Sequence, residues 1–217
     1  MTGAEITILL ADDHAIVREG YRALLSKQAN MAIVAEAADG NEAYQLYKHH
    51  EPDVTILDIS MPGPSGIETI HRIRQRCPTA KILVFTMHQN HRFAEQALKA
   101  GALGYVTKSS PPEELLNAIQ DVRAGRRVLS PDIAQALALE KTGGDCQETL
   151  TPREFEILRL LAAGKSKEET ANLLNLSPKT VANCHYLIKS KLGVASDIEL
   201  THWAIKMDLV DSNQTSK

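Results

Sequence analysis

Five polar residues close short apolar runs, and their types could do chemistry together. Asp12 and Asp13 end the run ITILLA, Asp58 lies at the end of DVTILDIS, Thr86 ends AKILVFT and Lys108 ends GYVTK. If these runs are parallel strands of one open sheet, their carboxyl ends share an edge, where such sheets bind ligands. Adjacent strands lie about 5 Å apart, so three carboxylates would crowd together. That is costly unless a cation neutralises them, and Mg²⁺ (or Mn²⁺) suits oxygen donors of this kind. One carboxylate could then attack a phosphoryl donor and become an aspartyl phosphate. Asp58 is the candidate nucleophile, because the Pro/Gly-rich turn MPGPSG follows it closely. Asp12 and Asp13 suit metal holding, while Lys108 as a point charge and Thr86 as a donor suit the phosphoryl oxygens. Taken singly, each residue reads as an ordinary strand end or helix cap. The five together are what points to phosphoryl chemistry.

The elements that must hold them alternate. Apolar runs predict strands near Ile6, over Met31–Ala37, through DVTILDIS, over Ala80–Thr86 and at GYVTK. Helical spacing predicts helices over Ala15–Gln28, Gly40–His49, IETIHRIRQR, Arg92–Ala100 and PPEELLNAIQDVRAG. Solidly apolar strands alternating with helices imply a parallel sheet covered on both faces.

Residues 128–148 read as a helical extension, SPDIAQALALEK, and a Gly-rich polar linker, TGGDCQET. Residues 149–214 read as four short helices, the first opened by Thr151, Pro152 and Glu154 as a capping box with a proline at the first helical position. KSKEETANLLNLSPKTVANCHYLIKSKL reads as a helix-turn-helix, with Ser177 and Pro178 opening its second helix. On that helix Val181, Cys184 and Ile188, with Leu187 beside them, are expected to be buried. Lys179, Ala182, Asn183, Tyr186 and Lys189 are expected outside or on the flanks, where bases and phosphates could be met.

The 217 residues suggest two modules, and 43% apolar content excludes general disorder. No apolar run approaches the ~20 residues of a membrane span, the start lacks a basic signal region, and Cys77, Cys146 and Cys184 lack metal spacing. A reduced, cytoplasmic protein without a membrane role is expected. The net charge of −3 conceals an uneven distribution, because residues 165–191 hold five lysines against two glutamates.

The acidic residues, TILDISMPGPSG and GALGYVTK resemble the receiver domain of two-component response regulators over roughly residues 5–125, which implies a receiver domain at residues 1–127. The resemblance implies a flavodoxin-like doubly wound parallel five-stranded sheet of order 2-1-3-4-5. It implies that Asp58 is phosphorylated by a sensor histidine kinase, and that Asp13, Asp58 and the Ser60 backbone carbonyl hold Mg²⁺ with Asp12 assisting. Thr86 and Tyr105 would be the switch residues, and His88 occupies a position that influences dephosphorylation. LTPREFEILRLLAAGKS, NLSPKTV and KLGV resemble the LuxR/FixJ-type DNA-binding domain, so the whole resembles the NarL/FixJ class. SPDIAQALAL and DIELTHWAI are similar to the GacA/UvrY/LetA group, which implies a GacS/BarA-like hybrid kinase. By the same resemblance Lys179 and Thr180 meet the DNA backbone, Asn183 and Tyr186 face the groove, and the last helix forms a dimer contact. Ala182, Cys184 and His185 depart from the usual lysine, histidine or tyrosine, and arginine.

The expected function is a transcription regulator in which phosphorylation promotes dimerisation and binding to double-stranded promoter DNA. Two alternatives stand beside it. One is a phospho-dependent protein-binding regulator whose helix-turn-helix has weak or lost DNA contact. The other is a Mg²⁺-dependent phosphatase, disfavoured because the position two beyond Asp58 is Ser60 and not an acid. The protein is therefore expected not to be an enzyme, beyond slow loss of its own phosphoryl group.

Overall fold

A computed structural model describes residues 5–142 and 150–210. The chain divides into two units, the first ending at Thr142. Its elements are β1 (Ile6–Ala11), α1 (Ala15–Leu25), β2 (Met31–Ala37), α2 (Gly40–His50), β3 (Val54–Leu57), α3 (Gly66–Arg76), β4 (Ile82–Thr86), α4 (His91–Ala100), β5 (Gly104–Thr107), α5 (Pro112–Arg123), β6 (Val128–Leu129) and α6 (Pro131–Thr142).

All strand pairs are parallel, in the order β2-β1-β3-β4-β5-β6. The chain leaves β1 in one direction to β2 and reaches β3 on its other side, so the topological switch lies between β1 and β3. Alternate residues sort to two faces. Ile6, Ile8, Leu10, Val54, Ile56, Leu83 and Phe85 pack with Leu25 of α1 and Leu115, Ile119 and Val122 of α5. The other face meets α2, α3 and α4, which pack in succession and bury Ile67, Ile70, Phe93 and Ala97.

Helix ends follow local chemistry. Asp39 caps α2 by accepting from Asn41 and Glu42 N–H groups at 2.8 and 2.9 Å. That helix ends where Glu51 takes a left-handed conformation, one residue before Pro52. Asn90 caps α4 and left-handed Gly101 stops it.

The sheet has six strands, not the five expected. β6 is only two residues long, too short to leave a periodic signal, and is held by its pairing with Gly104 and Tyr105 of β5. The first unit likewise extends beyond residue 127. α6 packs on α4, buries Ile133 completely, and its Asp132 accepts a hydrogen bond from the buried Thr107 hydroxyl at 3.1 Å. Of the expected linker, residues 143–148 lie outside the described residues, as do 149 and 211–214 of the expected second domain.

The second unit contains α7 (Pro152–Ala162), α8 (Lys167–Leu173), α9 (Pro178–Leu192) and α10 (Asp197–Lys206). Thr151 and Glu154 form the expected capping box, and Ser166 with Glu169 forms another at α8. Lys191 donates to Glu154 Oε2 at 2.8 Å, tying the end of α9 to the start of α7.

Gly66 marks where packing and chemistry meet. A Cβ there would stand 2.3 Å from the Asp58 carbonyl oxygen and 2.6 Å from Ile59 Cα, both backbone atoms. Gly66→Ala is expected to destabilise the first unit by about 1–3 kcal/mol through this overpacking, read as a lower urea midpoint.

Candidate phosphoacceptor site and helix-turn-helix

β1 and β3 end side by side, with Ala11 registered against Leu57. The residues that follow are held by backbone bonds: Asp58 N–H donates to the Ala11 carbonyl at 2.9 Å, and Asp12 N–H to the Ala37 carbonyl at 3.0 Å. Asp12 and Asp58 therefore face one another at the switch, their side chains each 3% exposed. Lys108, just beyond β5, is positioned by its N–H bond to the Thr86 carbonyl at 2.8 Å. Its ammonium donates to Asp58 Oδ2 at 2.6 Å and to Asp12 Oδ2. Burial alone would lower the pKa of Lys108. The charge of Asp58 and the hydrogen bonds to both carboxylates outweigh it, so the pKa is raised and the ammonium stays charged.

One oxygen each from Asp12, Asp13 and Asp58, with a ring nitrogen of His14, lie within 4.8 Å of one another. Asp13 Oδ1 is buried without a hydrogen bond, and His14 Nδ1 stands 2.8 Å from it. The three carboxylates, Asp13 Oδ1 among their oxygens, form a hard donor set, which fits a divalent cation of the Mg²⁺ type. Ser60 N–H donates to Asp58 Oδ1 at 3.2 Å, wrapping the following loop around the carboxylate.

Thr86 is fully buried, and its hydroxyl accepts from His88 N–H at 3.4 Å. Tyr105, also fully buried, donates its hydroxyl to the His88 carbonyl at 2.9 Å. Burial first, then the charges of Asp58 and Asp132, raise the Tyr105 pKa, which keeps that donor protonated. The His88 ring stacks on Phe93 with centroids 4.4 Å apart, and its Nε2 lies 2.6 Å from Ser60 Oγ. His88 thus joins the loop after Asp58 to Thr86, Tyr105 and α4. Its position in the sequence drew notice, but none of these partners could be read from spacing.

In the second unit, Ser177 caps α9 by accepting from Thr180 N–H at 3.1 Å. Lys179, Thr180, Asn183 and Tyr186 are exposed, and Ala182 is half-buried. Lys189 is also half-buried and held by Asp197 at 2.9 Å. The inward face differs from expectation. Val181, His185, Ile188 and Leu192 are buried at alternating spacings of four and three residues, whereas Cys184 is half-buried and Leu187 is 48% exposed. Reading the face from apolarity alone excluded His185, yet the helical phase set by Val181 and Ile188 favours it. A polar partner makes its burial tolerable, since Nε2 lies 3.0 Å from Asp197 Oδ1.

Residues 8–120 match the family profile of the response regulator receiver domain, and residues 148–204 match that of the bacterial regulatory proteins of the luxR family. Response regulator UvrY of Escherichia coli K12 is 36% identical, over 97% of this chain and 99% of that protein. Oxygen regulatory protein NreC of Staphylococcus carnosus is 40% identical, over 94% of this chain and 99% of its own length. The solved structure of RcsB from Salmonella enterica serovar Typhimurium, bound to the promoter rprA with the phosphomimetic BeF₃⁻, superposes with a TM-score of 0.74 at 30% identity. It covers 92% of this chain and 98% of that one. The chain belongs to the response regulators that join a receiver domain to a LuxR-type DNA-binding domain. Among the described residues no helix is long and apolar enough to cross a membrane.

Lys108→Ala is expected to destabilise the first unit by about 3 kcal/mol at neutral pH, because two buried carboxylates lose their shared cation. Added Mg²⁺ should recover part of that loss in urea unfolding by replacing the missing charge.

His185 gives a pH dependence. Burial lowers its pKa below 6.5 despite the opposing pull of Asp197. The unfolded chain then takes up the proton more readily, so its contribution to stability is full above pH 6.5 and is lost as pH falls through the lower folded value. The urea midpoint of the second unit, followed by fluorescence of Trp203, the single tryptophan, should fall more between pH 7.5 and 5.5 than in His185→Phe.

Proposed function

We propose that Asp58 accepts a phosphoryl group from a sensor histidine kinase and thereby controls promoter binding by the second unit. The observation that carries this reading is the buried contact of Lys108 with Asp58 and Asp12 at the carboxyl edge of the sheet. A carboxylate oxygen of Asp58 attacks phosphorus, the P–N bond of the donor phosphohistidine breaks, and the imidazole nitrogen keeps the electron pair and takes up a proton. Lys108 supplies positive charge beside the transferring oxygens. Asp12, Asp13, Asp58 and the Ser60 carbonyl would hold Mg²⁺, which when bound supplies further charge neutralisation there. The Thr86 hydroxyl then turns toward the new phosphoryl oxygens and leaves His88. Because His88 also holds the Tyr105 hydroxyl, the change passes to the segment before α4 and biases a two-state equilibrium.

The donor we propose is a GacS/BarA-like hybrid kinase, as the resemblance of SPDIAQALAL and DIELTHWAI to the GacA/UvrY/LetA group implies. The protein turns over no outside substrate, and the aspartyl phosphate is lost only by slow hydrolysis. It works in the cytoplasm. Phosphorylation promotes a homodimer whose two α9 helices enter successive major grooves of a two-fold promoter site. Lys179 and Thr180 meet phosphates, while Ala182, Asn183 and Tyr186 face bases; Lys189 reaches the backbone on leaving Asp197. Two sites on one duplex multiply the modest affinity of a single lysine-bearing helix.

Acetyl phosphate with Mg²⁺ should add one phosphoryl group to the wild-type chain and none to Asp58→Ala, read by intact mass. Phosphorylation should increase binding to selected duplexes, and Lys179→Ala should weaken binding to every duplex and reduce the salt slope by about 1. Phosphorylated protein that prefers no duplex over random DNA would favour the reading in which the helix-turn-helix docks protein instead.

A further inference from the structure

The outward face of α9 bears an unusual set of side chains for a helix that reads DNA. Exposed along it, at helical spacing, are Lys179, Asn183, Tyr186, Leu187 and Ser190, with Ala182 half-buried on its flank. Tyr186 is 72% and Leu187 48% exposed, side by side and one turn beyond Asn183. α9 contains no arginine. Its two later lysines are engaged within the unit, Lys189 by Asp197 at 2.9 Å and Lys191 by Glu154 at 2.8 Å. Lys179, at the second helical position, stands at the end of the helix next to the turn.

Base edges in the major groove sort these residues. Guanine offers two acceptors that call for arginine or lysine. Adenine offers one acceptor and one donor that match the two ends of an asparagine amide, and thymine offers a methyl group that needs an apolar surface. Asn183 supplies the amide. Ala182, the Tyr186 ring and Leu187 supply the apolar surface, and between Lys179 and Lys189 the helix carries no lysine or arginine for guanine.

We infer that α9 reads A·T base pairs, with Asn183 on an adenine and Leu187 against a thymine methyl, in the middle of each promoter half-site. This rests on the proposed DNA binding and deepens it. Leu187 becomes a specificity residue, a role closed to it had it been buried. Its exposure also has a reason: as a partner for thymine methyls it is covered only when DNA is bound. Phosphate contacts carry no sequence information, so Lys179 sets affinity without opposing this preference.

The test uses full-length protein loaded with acetyl phosphate and Mg²⁺. Duplexes selected from a random pool should carry A·T pairs at the central positions of both half-sites. Uracil in place of thymine there removes only the methyl, and should weaken the wild type about fourfold, the worth of one buried carbon. 7-Deaza-adenine removes only the N7 acceptor, and should weaken binding about tenfold. Leu187→Ala should lose the uracil effect and keep the deaza effect, and Asn183→Ala the reverse; both side chains are exposed, so both variants should fold. Selected half-sites with central G·C pairs, or equal affinity for the thymine and uracil duplexes, would overturn the inference. Salt-dependent binding to random duplex reports DNA binding separately. If it persists while the base effects are absent, only the A·T reading fails; if it is absent too, the proposed function fails with it.

Discussion

Two carboxylates and one ammonium, all nearly dry, meet at the carboxyl edge of the sheet between β1 and β3. Asp12 and Asp58 could not share that space without Lys108, and Lys108 could not stay charged there without them. The triad needs β1, β3 and β5 to end at one edge, which a parallel sheet provides and an antiparallel one would not. It also needs the two following loops to be rigid. Backbone bonds from Asp58 to Ala11 and from Lys108 to Thr86 supply that rigidity, and Gly66 lets α3 begin directly against the Asp58 carbonyl.

Around this triad the unit is built so that a change in charge at Asp58 is felt elsewhere. His88 touches the loop after Asp58 through Ser60, the end of β4 through Thr86, the buried ring of Tyr105 and the side chain of Phe93 on α4. These contacts are hydrogen bonds and one stacked pair, each worth about 1 kcal/mol, small enough to rearrange together when a phosphoryl group draws Thr86 away. One residue before Lys108, Thr107 reaches Asp132 at the start of α6. The helix that leads toward the second unit is therefore bonded to the residue beside the acidic site.

The acidic site was legible because strand ends are legible. Solid apolar runs are hard to mistake when they end in Asp12, Asp58 and Thr86, and parallel topology then brings those ends to one edge. β6 was not, since Val128 and Leu129 are a strand only by virtue of β5 beside them. The buried face of α9 was misread for a related reason. Cys184 is the more apolar residue, but Val181, His185, Ile188 and Leu192 keep the phase that meets α7 and α8, and Asp197 from α10 satisfies the imidazole. Hydrophobicity names candidates for burial; the phase of the packed helix selects among them.

The sequence by itself determined the strand and helix alternation, the residue types at the strand ends, the caps at Thr151 and Ser177, and the four helices among the second unit's described residues, because these depend on neighbours a few positions away. Only the tertiary structure decided that Lys108 bridges Asp12 and Asp58, that His88 joins three elements, that α6 belongs to the first unit, and that His185 is buried while Leu187 faces out. Those facts depend on residues up to 96 positions apart, and a contact made across such a distance has no local pattern from which to be read.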